Sequence, residues 1–441
     1  MPRGGGVTDN ARSSALSLLL RLEAEGGYAN LVADEYRLAA MEGRERALLF
    51  ALFYGTVERT LTLDYHIGTL AGRSAASLDP HTRALLRMGL YQLIYMDIPA
   101  HAAVGETVAL GRHAGERGLV NGVLRAAIRQ GELLLPPRER DVARHLSVAY
   151  SIPAPTVRYF LGRLGEEETE ALLSAFNRRP PLFLRVNTQK ITRDAFLSRL
   201  ADAAIAATPD PLSAVGVRIA APLAIDSIPG YAEGEFFVQD AASQLTTVVL
   251  DPHPGDTVLD LCACPGGKSF GAAITMQDSG RVIARDIHES KLSLIRSGAL
   301  RLGLSSVVSE VRDASVPDPA LFGKVDRVIC DVPCSGLGVI AKKPDLRYRG
   351  LSSVAELSSL SARILDAAAP TLRAGGVMVF STCTLTHEEN EDAVAAFLAR
   401  HPEFVTEEFT VGGCSSQGGM LTLWPHRHGT DGFFMAKLRR T

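Results

Sequence analysis

From Gln239 to its C-terminus the 441-residue chain alternates short apolar runs with amphipathic stretches, and no other feature constrains its fold as tightly. Strands are expected at 257–261, 281–286, 307–311, 325–331, 376–383, 404–409 and 432–438. The clearest intervening helix spans 354–372, turns Leu357, Leu360, Ile364, Ala368 and Leu372 inward, and is ended by Gly375-Gly376. This is the pattern of an α/β, doubly wound sheet with helices on both faces, whose ligands sit beyond the carboxyl ends of the strands.

Upstream the period changes. Residues 8–131 read as helix only: a start signal at Thr8-Asp9-Asn10 precedes Leu16, Leu19 and Leu20, and Asp79-Pro80 opens a helix carrying Leu86, Leu90 and Leu93. Leu119, Val120, Val123, Leu124, Ala127 and Ile128 form another stripe, so a compact all-α bundle is expected. More helix follows the break at 135–140 and runs to Asn177. After Pro180-Pro181, strands at 182–187, 215–220 and 236–238 with a helix at 193–204 make a small α+β unit.

A net charge of −3 offers no bulk attraction to a polyanion, though a local basic groove on a neutral protein can still hold RNA. No apolar run reaches membrane-spanning length and the N-terminus has no hydrophobic signal core, so a cytoplasmic protein without membrane contact is expected. The six cysteines lack paired zinc spacing and, in a long chain without a secretion signal, argue against a disulfide scaffold. Reactive or buried thiols remain, and no metal is expected.

The turn Asp260-Leu261-Cys262-Ala263-Cys264-Pro265-Gly266-Gly267-Lys268 follows the first strand of the alternating region. It has neither dinucleotide-fold nor P-loop spacing, but its glycines admit close backbone approach and the next helix aims free N–H groups at a ligand. Asp286 ends the second strand, where a ribose would be bound, and Asp313 follows the third, within reach of an adenine amino group. Carboxylates and a glycine turn on successive strand tips suit an adenosyl cofactor with an amino-acid tail. Turn-forming Asp and Gly at strand ends of any α/β protein are the plainer alternative.

Two cysteines at strand ends, Cys334 after Pro333 and Cys383 after Thr382, suggest covalent chemistry on a poor electrophile. C5 of cytosine is too weak a nucleophile to take a methyl group directly. Addition of a thiolate at C6 makes it enamine-like, and a second group then assists release by β-elimination. Asp331 is placed either to share a proton with cytosine N3 or to touch the cofactor. Cys330 reads as a small buried hydrophobe.

Cys262 to Ser269, Asp331-Val332-Pro333-Cys334-Ser335-Gly336-Leu337-Gly338 and Ser381-Thr382-Cys383-Thr384 resemble the signature motifs of the RNA cytosine-5 methyltransferases. The resemblance runs from about Pro180 to the C-terminus and takes in Arg185-Val186-Asn187, 239–243 and 431–437. It implies S-adenosylmethionine (S-adenosyl-L-methionine) as cofactor, bound by Cys262, Ala263, Cys264, Pro265, Gly266, Gly267, Lys268, Asp286, Asp313 and Asp331. It further implies Cys383 as nucleophile and Cys334 as the thiol that assists release. Cys264 and Ser269 depart from the family's commoner alanine and threonine without removing a needed group. Residues 98–110 and 118–124 resemble NusB, a helical RNA binder, and a NusB-like domain ahead of such a catalytic part is similar to the Sun/Fmu family of bacterial 16S ribosomal RNA methyltransferases.

The organisation this implies is multidomain: an all-α NusB-like bundle at 1–135, a helical linker at 136–179, a small α+β RNA-binding subdomain at 180–240, and an α/β Rossmann-like methyltransferase domain at 241–441. Its expected partner is 16S ribosomal RNA, free or in an assembling particle, and the chain is expected to be a monomer. Arg185, Lys342, Lys343 and Arg347 are the expected RNA contacts, the last three in a cationic loop that also carries Tyr348. The same reaction on transfer RNA, or a non-catalytic ribosome-assembly factor, are the competing readings.

Overall fold

A computed structural model describes residues 10–25, 41, 43–132, 134–220 and 223–441; the start signal at Thr8 and Asp9 lies outside them. The chain divides into two units. One holds the described residues up to Asn177 together with Lys342–Gly350, the other Arg178–Ala341 and Leu351–Thr441.

In the first unit, helices Ala11–Glu25, Gly43–Glu58, Thr60–Ala71, Pro80–Tyr95, Ala100–Ala109 and Ala114–Gln130 bury Leu18, Leu52, Phe53, Leu85, Leu86, Leu90 and Leu124. The expected cap is in place: Asp79 accepts from the His81 and Thr82 N–H groups, with Pro80 in the first helical position. Residues 136–179, expected as a helical linker, form helices Val142–Tyr150, Ala154–Leu164 and Glu166–Phe176, and the stretch to Asn177 groups with this unit. There Phe160 and Phe176 are buried, and Ser151 Oγ accepts from the Leu61 N–H at 3.0 Å.

The segment Lys342–Gly350 is a second departure, because it belongs to the helical unit rather than to a loop of the catalytic domain. Its anchor is Arg347, which is 1% exposed and donates to Glu58 O and Asn177 Oδ1, both at 2.9 Å, and to Phe176 O at 3.5 Å. Glu58 and Phe176 end their helices, so the guanidinium satisfies carbonyls that have no partner within the helix, at the negative end of each dipole. Tyr348 Oη donates to Glu58 O at 2.8 Å and accepts from the Thr60 N–H at 3.1 Å. Arg347 is therefore spent on packing and is not available to RNA, whereas Lys342 and Lys343 are exposed.

The second unit contains two sheets. Strands β1 (Leu182–Val186), β2 (Ala207–Pro209), β3 (Gly216–Ile219) and β4 (Phe236–Val238) pair antiparallel in the order β2-β3-β1-β4. Helix Arg193–Asp202 covers them through Phe196 and Leu200. Arg185 on β1 also fails as an RNA contact: it is 4% exposed, donates to Thr247 Oγ1 at 2.7 Å, and reaches Gln239 Oε1, Gln244 O and Gly271 O at 3.4 Å. All four partners are neutral, and burial draws its guanidinium down to about 10. It bolts the small sheet to the large one's helices.

The large sheet takes β5 (Thr257–Asp260), β6 (Arg281–Asp286), β7 (Val307–Val311), β8 (Val325–Asp331) and β9 (Leu372–Thr382) in parallel. With β10 (Phe404–Thr406), β13 (Met420–Leu423) and β14 (Phe433–Arg440), the order is β10-β14-β9-β8-β5-β6-β7, and β14 runs antiparallel between β9 and β10. β13 pairs with β14, and β11 (Thr410–Val411) pairs with β12 (Cys414–Ser415) apart from this sheet. Alternate residues feed two cores: Val258, Ile329 and Val379 meet helices Gly267–Thr275 and Glu289–Leu302, while Leu259, Val328 and Met378 meet Val354–Ala368 and Glu391–Arg400. Cys330 lies in the second core. The helix expected to reach Leu372 stops at Ala368, because Pro370 cannot continue the ladder. Gly375 and Gly376 lie inside β9, where its register against β8 shifts between Val325 and Arg327.

The chain runs β5 to β6 to β7 on one side and then crosses to β8 and β9 on the other. The crevice at that reversal, above β5 and β8, is where such sheets hold ligands.

Candidate active site

The turn after β5 leads straight into helix Gly267–Thr275, whose first N–H groups face the crevice. Gly266 takes φ +111°, and a Cβ there would lie 2.3 Å from the Phe270 ring, so only glycine fits. Asp260, at the strand tip, is buried and accepts from Ser269 Oγ at 2.6 Å; burial pushes its carboxyl up to about 7 against that bond and the Lys268 charge. Burial and surrounding carboxylates push the Cys262 thiol well up, and burial with Asp286 raises Cys264. Cys264 Sγ turns toward the carbonyl of Lys291 at 3.8 Å.

Asp286 ends β6 with Oδ1 accepting from the His288 N–H at 2.9 Å. Asp313, after β7, is exposed and accepts from the Ser315 N–H at 2.8 Å and Oγ at 2.7 Å, bonds that hold its carboxyl below the usual range. Ile287, the next residue after Asp286, is 56% exposed, an apolar side chain that the sequence reading passes over. A glycine cradle, a helix N-terminus, two strand-tip carboxylates and an uncovered apolar side chain fit an adenosyl group with a charged tail.

On the other side of the crevice, Lys268 Nζ meets Asp331 Oδ2 at 2.7 Å and lies 5.3 Å from the centre of the Phe433 ring. Ser381 Oγ donates to Asp331 Oδ1 at 2.7 Å. The ammonium, carboxylate and hydroxyl thus form one chain across β5, β8 and β9. Asp331 has both oxygens engaged and stays open enough, with 28% of its side chain exposed, to meet a ligand.

Cys334 and Cys383 follow the ends of the adjacent parallel strands β8 and β9, and their sulfurs are 3.3 Å apart. The Cys334 thiol is raised well above its ordinary value by the hydrogen bond to Cys383 first and by burial second. The Cys334 loop is stitched to the Cys383 strand end through Gly338, whose N–H donates to Cys383 O at 3.0 Å. Gly338 approaches Gly432 so closely that a Cβ would lie 2.0 Å from its carbonyl oxygen. Ser335, Ser381, Thr384, Glu389 and Phe433 complete the surroundings. Ser335, Ser381, Thr384 and Phe433 lie in segments that carry the family resemblance but are given no role of their own there, and Glu389 lies outside them, because hydroxyl residues and an acid after a strand read as ordinary turn residues.

Three family models match this chain: 16S rRNA methyltransferase RsmB/F over residues 247–439, the NusB family over 9–129, and a RsmF/B-like methyltransferase ferredoxin-like domain over 157–226. A probable ribosomal RNA small subunit methyltransferase B of Synechocystis sp. is 36% identical, covering 98% of this chain and 99% of that protein. Ribosomal RNA small subunit methyltransferase B of Yersinia pestis is likewise 36% identical with the same coverage of 98% and 99%. The crystal structure of PH0851 is similar with a TM-score of 0.81 and 26% identity, over 99% of this chain and 100% of that one. A methyltransferase homolog protein from Pyrococcus horikoshii is also 26% identical, with a TM-score of 0.59 over 68% of this chain and 99% of that one.

Proposed function

This chain belongs to the RsmB/F family of 16S rRNA methyltransferases, and from that membership we propose that it moves a methyl group from S-adenosylmethionine to C5 of a cytosine in 16S ribosomal RNA. The observation that carries the reading is the pair of sulfurs 3.3 Å apart beside the Lys268–Asp331–Ser381 chain. The turn 262–268 with Asp286 and Asp313 would hold the cofactor, which supplies an electrophilic methyl when bound.

Cys383 adds to cytosine C6. Asp331, oriented by Ser381 and Lys268, shares a proton at the N3 edge as the ring takes up electron density. The nearby ammonium of Lys268 stabilises that charge in a partly buried site. Once C5 carries the methyl, water accepts the C5 proton, the C5–H electron pair re-forms the C5–C6 double bond, and the C6–S bond breaks to release the Cys383 thiolate. The Cys334 S–H, held protonated and within hydrogen-bond distance, stabilises the departing sulfur. Lys342 and Lys343, both exposed, remain proposed phosphate contacts.

The test uses labelled cofactor and unmodified small-subunit RNA. Cys383→Ala should abolish incorporation, and Cys334→Ala should accumulate a covalent protein–RNA species that survives denaturing electrophoresis. Normal turnover by Cys334→Ala would remove the release role, and normal turnover by Cys383→Ala would remove the proposal.

A further inference from the structure

The two thiols sit on loops from different strands, and one buried carboxylate ties those loops together. Glu389 is 2% exposed. Its Oε1 accepts from the Ser335 N–H at 2.7 Å, and its Oε2 accepts from Ser335 Oγ at 2.6 Å and Thr386 Oγ1 at 2.7 Å. Ser335 is the neighbour of Cys334. Its hydroxyl also lies 2.7 Å from Thr384 Oγ1, and Thr384 is the neighbour of Cys383. Next in the chain, buried Asn390 donates to Thr384 O at 3.1 Å and so fixes the same turn from behind.

Among the described residues, no cation is a hydrogen-bond partner of Glu389. A carboxylate buried among neutral donors is a costly way to close a surface loop, which a hydrophobic residue would do as well. Its value lies in direction: two acceptor oxygens fix a backbone N–H and two hydroxyls at once, in one geometry. An apolar contact would leave the spacing between the loops soft.

We propose that Glu389 is the positioning residue of the two-thiol centre, bridging the Cys334 loop to the turn after Cys383 and setting the distance between their sulfurs. Its consequence for turnover rests on the two-thiol reaction proposed above; the geometric part does not. Its negative charge also adds, after the Cys383 hydrogen bond and burial, to the causes that keep Cys334 protonated. Among the described residues its hydrogen bonds go to Ser335 and Thr386 and to none of residues 262–268, so its loss is expected to act on the chemical step.

The experiment uses full-length protein with Glu389→Gln, and Ser335→Ala as a milder variant that keeps the backbone donor. The first readout needs no substrate. Each protein is equilibrated with oxidised and reduced glutathione at pH 7, and the Cys334–Cys383 disulfide is quantified by peptide mapping. One glutathione disulfide is reduced to two thiols for each protein disulfide formed, so the equilibrium reports the effective concentration of one sulfur at the other. Glu389→Gln should lower it roughly tenfold, the scale of one lost hydrogen bond to a charged group, and Ser335→Ala by less. The second readout is kinetic: kcat should fall while KM for RNA and for S-adenosylmethionine stays at the wild-type value, and Glu389→Asp should recover part of kcat. Wild-type effective concentration in both variants overturns the proposal. A lowered effective concentration in the Glu389 variant, together with no RNA adduct from Cys334→Ala in otherwise wild-type protein, leaves the bridge standing and removes the covalent reading instead.

Discussion

Replacing Arg185 by alanine separates a structural bolt from an RNA contact. The side chain makes one short bond, 2.7 Å to Thr247 Oγ1, and three long ones at 3.4 Å, from a site that is 4% exposed. Losing a bond from a charged donor costs about 1.5–3 kcal/mol. Emptying a large buried side chain costs about 2–5 kcal/mol. Against these stands relief: a cation with only neutral partners is expensive to bury, and its guanidinium is drawn down to about 10 by that burial. The net expectation is a destabilisation of about 2–4 kcal/mol. Methionine at the same position refills most of the volume without the charge and should recover part of the loss. Urea unfolding of the full-length protein, followed by far-UV circular dichroism, reads the shift in midpoint. Fluorescence anisotropy with labelled ribosomal RNA over a range of KCl concentrations reads the salt slope, which should not change. A variant as stable as wild type whose slope falls by about 0.7, one phosphate contact on single-stranded RNA, would refute the reasoning.

Three further outcomes are expected. Asp260 carries a folded-state value of about 7, raised above its unfolded range, so the stability it contributes is full at acid pH and is lost as pH rises through 7. Urea midpoints of Asp260→Asn should therefore gain on wild type between about pH 4 and pH 7, the interval in which the unfolded chain has lost that proton and the folded one keeps it, and level off above; parallel curves across that interval would contradict this. Gly266→Ala must either move the Phe270 ring or leave φ +111°; calorimetric titration should show S-adenosylmethionine affinity falling by about tenfold or more, at a strain of roughly 1–3 kcal/mol. Lys342→Ala and Lys343→Ala should each lower the salt slope of RNA binding by about 0.7 without moving the thermal midpoint, because both side chains are exposed.

Much of the catalytic part is readable from local pattern. β6, β7 and β8 fall on the expected residues: β6 is a near-continuous buried apolar run, whereas β7, at the sheet edge and only partly buried, is set off by its valines and the turn residues around it. The short strands β2, β11, β12 and β13 go unread; β3 and β4 are as short, but Val217 with Ile219 and the run Phe236-Phe237-Val238 are strong strand formers, which Ala207–Pro209 and Cys414–Ser415 lack. At β9 the glycines are misread, since a helix stop and a bulge in a strand ask for the same residue.

The amino-acid sequence alone determines the order of strand and helix, the glycine turn after β5 and the two cysteines that follow β8 and β9, for each is written in neighbours a few residues apart. Tertiary structure decides what each polar group is for. Lys342 and Arg347 stand five positions apart in one cationic run, yet the first is exposed and the second is buried against the carbonyl ends of two helices. Arg185, expected as an RNA contact, proves to be an internal tie, and so does Glu389, to which the sequence reading assigns no role. Burial depends on which distant segments close over a side chain, and that information is not local.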